Sequence, residues 1–164
     1  MSNQPVYLTP EGAAKLRREL EKLRGPGRQA LATRLRQAVQ MGDLSENADY
    51  ITAKEAQAFL EGRIQELEML LREAVIVEAD RSADRVQIGS SVVVSQDDAE
   101  PETFQVVGAK EADPRRGKIS HESPIGRALM GRQVNETVIA ETPGGKIQVK
   151  ILEMHSDSGS SRME

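Results

Sequence analysis

The chain has no cysteine and no tryptophan, and its 164 residues include only two tyrosines, two phenylalanines and two histidines. Without cysteine there is no thiol nucleophile, no disulfide and no thiolate zinc site. His121 and His155 are too few for a histidine-rich metal centre. Four aromatics are too few to stack successive bases of a single-stranded nucleic acid, or to line a deep pocket for a flat ligand. Apolar runs long enough to span a bilayer, about 18 residues, are absent, and the first residues lack the charged-then-apolar pattern of a secretion signal. The expectation is a soluble, cytoplasmic protein with no membrane partner. What is abundant is charge, at 29% of residues against 38% hydrophobic. That balance suits elongated helical parts with much solvated surface.

The net charge of −4 hides a division. Between residues 15 and 36, eight basic side chains (Lys15, Arg17, Arg18, Lys22, Arg24, Arg28, Arg34, Arg36) stand against Glu19 and Glu21, for a local +6. Between 43 and 73, eight acids stand against Lys54, Arg63 and Arg72, for a local −5. Two antiparallel helices of opposite sign would pair much of this charge across their seam. Arginines left over on the first arm would be free to face a polyanion such as RNA.

Periodicity supports such a hairpin. Thr9-Pro10 reads as an N-cap followed by proline at the first helical position. Leu16, Leu20 and Leu23 then form an apolar stripe. Gly25-Pro26-Gly27 interrupts it, and it resumes at Leu31, Leu35 and Ala38 after a step of eight, which predicts one bent arm or two consecutive helices. Ala53, Leu60, Ile64, Leu67, Leu71 and Ala74 keep a near-heptad spacing in a second arm. With a turn around Gly42 these make an antiparallel coiled-coil hairpin, each arm rising ~40–45 Å over about 25–30 residues. After about residue 80 the period becomes two. Val92–Val94 and Phe104–Val107 read as strands, Ser123-Pro124 as a helix start that Gly131 ends, and Thr137–Glu141 with Lys146–Ile151 as a hairpin around Pro143-Gly144-Gly145. The expected fold is α+β: a helical coiled-coil hairpin over residues 1–78, a small antiparallel β-sheet domain with a short helix over 79–154, and a disordered tail over 155–164.

Chemistry concentrates at the hairpin tip, Gly42-Asp43-Leu44-Ser45-Glu46-Asn47-Ala48-Asp49-Tyr50. Asp43 and Glu46 lie three residues apart where a helix begins. Acids there also favour the helix dipole and can cap free N–H groups. Their position at the end of a rod, however, is where carboxylates can be inserted into another macromolecule. Leu44 between them is apolar and has no evident core to enter.

This tip, followed by Ala53-Lys54-Glu55 and Glu61-Gly62-Arg63-Ile64, resembles the Gre family of bacterial transcript cleavage factors. The resemblance returns in Glu111-Ala112-Asp113, Gly117-Lys118-Ile119-Ser120, Ser123 to Gly131 and Pro143-Gly144-Gly145, and so runs from Leu8 to about Met154. It implies that the coiled coil enters the secondary channel of bacterial RNA polymerase and stimulates the polymerase's own cleavage of backtracked RNA. It implies, too, that the protein is not an independent enzyme. Asp43 then helps hold a Mg²⁺ ion shared with the polymerase and not stably bound by the free protein, and Glu46 orients the attacking water. Two ions activate the nucleophile and stabilise the leaving oxygen, and Mg²⁺ relies on few carboxylates. Ser45 would add a hydrogen bond, while Asn47 and Tyr50 shape the turn. Arg28, Arg34 and Arg36 are the candidates for contact with the nascent RNA 3′ end, or for pairing with acids of the other arm.

The same resemblance makes the C-terminal domain FKBP-like and assigns it to docking at the channel mouth, with Ser123, Pro124 and Ile125 as docking candidates. Ser-Pro is equally an ordinary helix start. A prolyl isomerase of this fold would need an aromatic-lined pocket, and Phe104 is the one aromatic after residue 80. Two other readings compete: a channel binder that inhibits polymerase without cleavage, which would alter the tip acids, and a structural coiled-coil adaptor, which leaves the tip without a purpose. The free protein is expected to be a monomer.

Overall fold

A computed structural model describes residues 5–42 and 46–156. They form two compact units: Ala14–Glu73, and the chain up to Ala13 together with the chain from Ala74 on. The expected division after residue 78 therefore differs at the start of the chain, whose residues pack with the sheet unit.

The first unit is the expected helical hairpin. Helix α1 (Pro10–Lys22) passes through a single π-helical turn, Leu23–Gly27, into α2 (Arg28–Val39). Helix α3 (Ala48–Glu73) returns antiparallel to them. The expected two consecutive helices are thus present, and the Gly-Pro-Gly stretch joins them through helical backbone and not through a loop. Lys22 (φ −62°, ψ −40°) and Arg28 (φ −63°, ψ −40°) are right-handed helical on either side. The reason lies in the spacing and in Pro26. A π turn accommodates one residue more than an α turn, and the step from Leu23 to Leu31 is one longer than a heptad. The wide turn absorbs that residue, so Leu31 and Leu35 stay half-buried on the stripe and Ala38 is buried. It also accommodates a proline that has no N–H and would collide with the carbonyl four residues back in a regular α-helix.

Opposite this stripe, Ala53, Ile64 and Leu67 are buried. Complete burial of an Ile or Leu side chain is worth about 1.5–3 kcal/mol, so the seam supplies most of the association. The predicted charge pairing is also present. Arg24 reaches Glu68 at 2.8 Å, Arg28 grips Glu61 with two bonds of 2.9 Å, and Arg63 grips Glu19 at 3.0 and 3.2 Å. These side chains are around two-fifths exposed. Solvent screening makes such pairs weak stabilisers that mainly favour one register and orientation.

The second unit is a five-stranded sheet in the order β5-β4-β3-β7-β6, formed by β3 (Ser90–Gln96), β4 (Glu102–Val107), β5 (Lys118–Ser120), β6 (Thr137–Thr142) and β7 (Gly145–Ser156). A two-stranded parallel sheet joins β1 (Tyr7–Leu8) to β2 (Val75–Ile76). The expectation of a purely antiparallel sheet is corrected, because β5 runs parallel to β4. Two 3₁₀ turns, Ala109–Glu111 and Pro114–Arg116, carry the chain back between them. Three residues were too few to announce β5 in the sequence.

The core combines Val92, Val94, Val106, Ile119, Val149 and Ile151 from the sheet with Leu129 from α4 (Pro124–Leu129). The hairpin Pro143-Gly144 is as predicted, with Thr142 paired to Gly145. Strand β7 runs beyond Ile151. A bulge at Leu152 shifts the register between Val93 and Val94, so Met154 packs on the core while Glu153 is exposed. His155 and Ser156, placed in the tail by sequence, belong to β7. Residues 157–164 lie outside the described residues.

Candidate functional site: the tip of the helical hairpin

Helix α2 ends at Val39, Gly42 takes φ +114°, a conformation that favours glycine, and α3 starts at Ala48. Of the proposed tip residues, Asp43 and Ser45 lie outside the described residues, as does Leu44. Glu46 is described and exposed.

Directly after Glu46, Asn47 caps α3. Its Oδ1 accepts from the Tyr50 backbone N–H at 3.1 Å, and the Ile51 N–H reaches the Asn47 carbonyl at 3.0 Å. The amide of the same side chain points the other way and donates to the Ala38 carbonyl at 2.8 Å. The Ala38 oxygen also accepts from the Met41 N–H at 3.1 Å. One side chain thus bonds a carbonyl at the end of one helix and an N–H at the start of the next, the second of which lacks an intrahelical partner. Asparagine before a helical run is a recognisable cap signal, but the bond to Ala38 was not visible in the sequence. Tyr50 contributes its backbone N–H to the cap, and its ring lies 5.9 Å from the Lys54 ammonium.

The three candidate arginines differ. Arg28 is committed to Glu61. Its two hydrogen bonds raise the pKa of the guanidinium, and the bond from Arg28 holds the Glu61 carboxyl below its ordinary value. Arg36 donates to Thr33 Oγ1 at 3.3 Å along its own helix. Arg34 lines a shallow depression with Gln37, Ala38, Met41 and Asp49. Both are exposed, and neither forms an ion pair among the described residues.

In the sheet unit, Ser123 caps α4, accepting from the Gly126 N–H at 3.0 Å and donating to the Ser120 carbonyl at 2.7 Å. Pro124 opens the helix and Ile125 packs on the core. Their local roles are structural, with part of each side chain still facing solvent. Phe104 also packs on the core. A cleft of about 520 Å³ is lined by Pro5, Tyr7, His121, Glu122 and Arg127, with Tyr7 edge-on to His121 at 5.6 Å. Glu122 and Arg127 add charged groups to its lining.

Residues 6–76 match the N-terminal domain model of transcription elongation factors, and residues 81–156 match the GreA/GreB C-terminal domain model. The chain belongs to the GreA/GreB family of transcription elongation factors. It is 48% identical over 156 residues to the transcription elongation factor GreA of Chloroflexus aggregans, covering 94% of this chain and 99% of that one. It is 47% identical over 155 residues to GreA of Geobacillus kaustophilus, with 93% and 98% covered. Among solved structures it is similar to the GreA factor homolog 1 (Gfh1) protein of Thermus thermophilus, at 32% identity, with 93% of this chain and 99% of that chain covered and a TM-score of 0.42. Membership in the GreA/GreB family accounts for both the helical hairpin and the sheet unit. No helix among the described residues is long and apolar enough to cross a membrane.

Proposed function

We propose that this elongation factor binds bacterial RNA polymerase, inserts its hairpin tip into the secondary channel, and stimulates the polymerase's own cleavage of backtracked RNA. The observation that carries this reading is the exposed Glu46 carboxylate at the loop end of the hairpin, immediately before a capped helix start. Helix α3 has 26 residues, a rise of about 39 Å, so its N-terminal end can reach a centre buried in a partner.

The donors at the tip are carboxylates, Glu46 among the described residues and Asp43 outside them. Hard oxygen donors suit Mg²⁺, and so few of them suit an ion held jointly with the polymerase and RNA phosphates. When bound, such an ion supplies Lewis-acid polarisation and lowers the pKa of water. Glu46 accepts a hydrogen bond from the attacking water, orienting it and drawing off its proton, while Ser45 adds a hydrogen bond. Arg34 and Arg36 face the RNA backbone. Arg28 serves chiefly the pairing of the arms, because its guanidinium is already occupied by Glu61. Ser123, Pro124 and Ile125 mark the helix start through which the sheet unit docks. In this reading the hydrolysis is the polymerase's own, so the factor is not itself a nuclease, and it acts in the cytoplasm as a monomer.

The test uses stalled, backtracked elongation complexes with Mg²⁺, in which RNA length is followed. The wild-type factor shortens the RNA. Glu46→Gln and Asp43→Asn bind polymerase equally well and lower the cleavage rate about a hundredfold or more, the scale of a lost general base. Normal cleavage by both variants refutes the mechanism. A wild-type factor that binds and blocks synthesis without cleavage establishes an inhibitor instead.

A further inference from the structure

We infer that Asn47 is the positioning residue of the tip: its side chain sets the direction of the Glu46 carboxylate by tying the start of α3 to the end of α2. The inference rests on the cleavage reading above and deepens it. A cap alone would need only the bond from the Tyr50 N–H to Asn47 Oδ1, which fixes the first turn of α3. The second bond, from Asn47 Nδ2 to the Ala38 carbonyl at 2.8 Å, spans nine residues. It closes the base of the loop by locking the two helix ends together. Ala38 is itself buried in the seam, and its carbonyl belongs to the last turn of α2. The anchor is therefore part of the rigid hairpin.

Glu46 precedes Asn47 by one peptide unit, so the plane and direction of the backbone at Asn47 decide where Glu46 points. With the bridge intact, Glu46 directly precedes a helix start that is tied to the end of the other arm. A carboxylate that must meet a water molecule inside another protein's active centre needs such a clamp, since misplacement by about 1 Å costs about a hundredfold in rate. The two bonds use two different atoms of the amide, Oδ1 and Nδ2, that point opposite ways. An ionised aspartate accepts from Tyr50 N–H but has no hydrogen to give to Ala38, and a serine has one short hydroxyl in place of the two atoms.

That difference defines the experiment. Asn47→Asp and Asn47→Ser keep a cap acceptor and lose the Nδ2 group that makes the bridge, and Ser controls for the charge that Asp adds next to Glu46. Each is titrated into backtracked complexes with Mg²⁺, reading the half-saturating factor concentration and the cleavage rate at saturation. Helix content and protection of the Tyr50 amide against hydrogen exchange are followed alongside. The expected result is a retained helix, a half-saturating concentration within about twofold of wild type, and a saturated rate at least about fivefold lower in both variants, the scale of one lost hydrogen bond. A purely structural role would instead shift half-saturation or helix content and leave the saturated rate alone. That outcome, or wild-type behaviour in both variants, overturns the inference while leaving the cleavage function standing. A wild-type factor that releases no RNA removes the cleavage reading itself, and the positioning role with it.

Discussion

Thr9 is one of two buried polar residues among the described residues, 2% exposed, and it hydrogen-bonds to a residue 102 positions away. Its backbone N–H donates to one Glu111 carboxylate oxygen at 2.7 Å and its hydroxyl to the other at 2.5 Å. The hydroxyl oxygen in turn accepts from the Gly12 N–H at 3.1 Å, capping α1. Glu111→Ala removes both acceptors and leaves two donors of a buried residue unpaired. Each bond to a charged partner is worth about 1.5–3 kcal/mol. Glu111 is itself only half-buried, so water enters part of the vacated space and the lower end of the range applies. The expected loss is about 3 kcal/mol, a large share of the roughly 5–15 kcal/mol that holds a domain folded. Glu111→Gln keeps one acceptor and loses about 1 kcal/mol. Urea denaturation, with hydrogen exchange of the β3 and β7 amides assigning the loss to the sheet unit, measures both. In a double-mutant cycle, Thr9→Ala and Glu111→Ala are coupled by about 1–2 kcal/mol. A loss below about 1 kcal/mol for Glu111→Ala, or additive single mutants, would refute the argument.

Two further outcomes follow from the hairpin. Leu67 is fully buried in the seam and Phe59 is 85% exposed on the same helix; Leu67→Ala destabilises the hairpin by about 2–5 kcal/mol, whereas Phe59→Ala stays within about 0.5 kcal/mol, both read by urea denaturation, and equal losses would contradict the assigned seam. Because the hydrogen bond from Arg28 holds the Glu61 carboxyl below its ordinary value, the pair supports the hairpin above the ordinary carboxylate range and loses that support as pH falls through the lowered folded value. Carboxyl NMR titration shows Glu61 returning to its ordinary value in Arg28→Gln, and an unchanged titration would contradict the pairing.

What was readable in advance was local. Thr9-Pro10 and Ser123-Pro124 announced helix starts because a cap needs only an oxygen and the next turn's N–H groups. The alternation of Ile147, Val149 and Ile151 announced a half-buried strand, and the opposite charges of the arms announced their pairing. The tip acids were legible as a motif, since Asp43 and Glu46 stand in a stretch that resembles the tip of Gre factors.

Tertiary structure decided the remainder, wherever a residue's partner lies far along the chain or the signal is one residue long. Nothing near Thr9 implies Glu111, and nothing near Asn47 implies that its amide reaches back to Ala38. Gly25-Pro26-Gly27 reads as a break by propensity, yet packing of Leu23 and Leu31 on one seam rewards an unbroken helix with a wide turn more than it penalises the proline. Likewise the bulge at Leu152 reverses the inward face of β7, because pairing with Val93 and Val94 overrides strict alternation. By itself the sequence determined which residues form the two arms, which face of each is apolar and which acids stand at the tip. Only the fold determined how the two helix ends are clamped together there, because hydrogen bonds between distant residues exist only after the hydrophobic seam has brought them within reach.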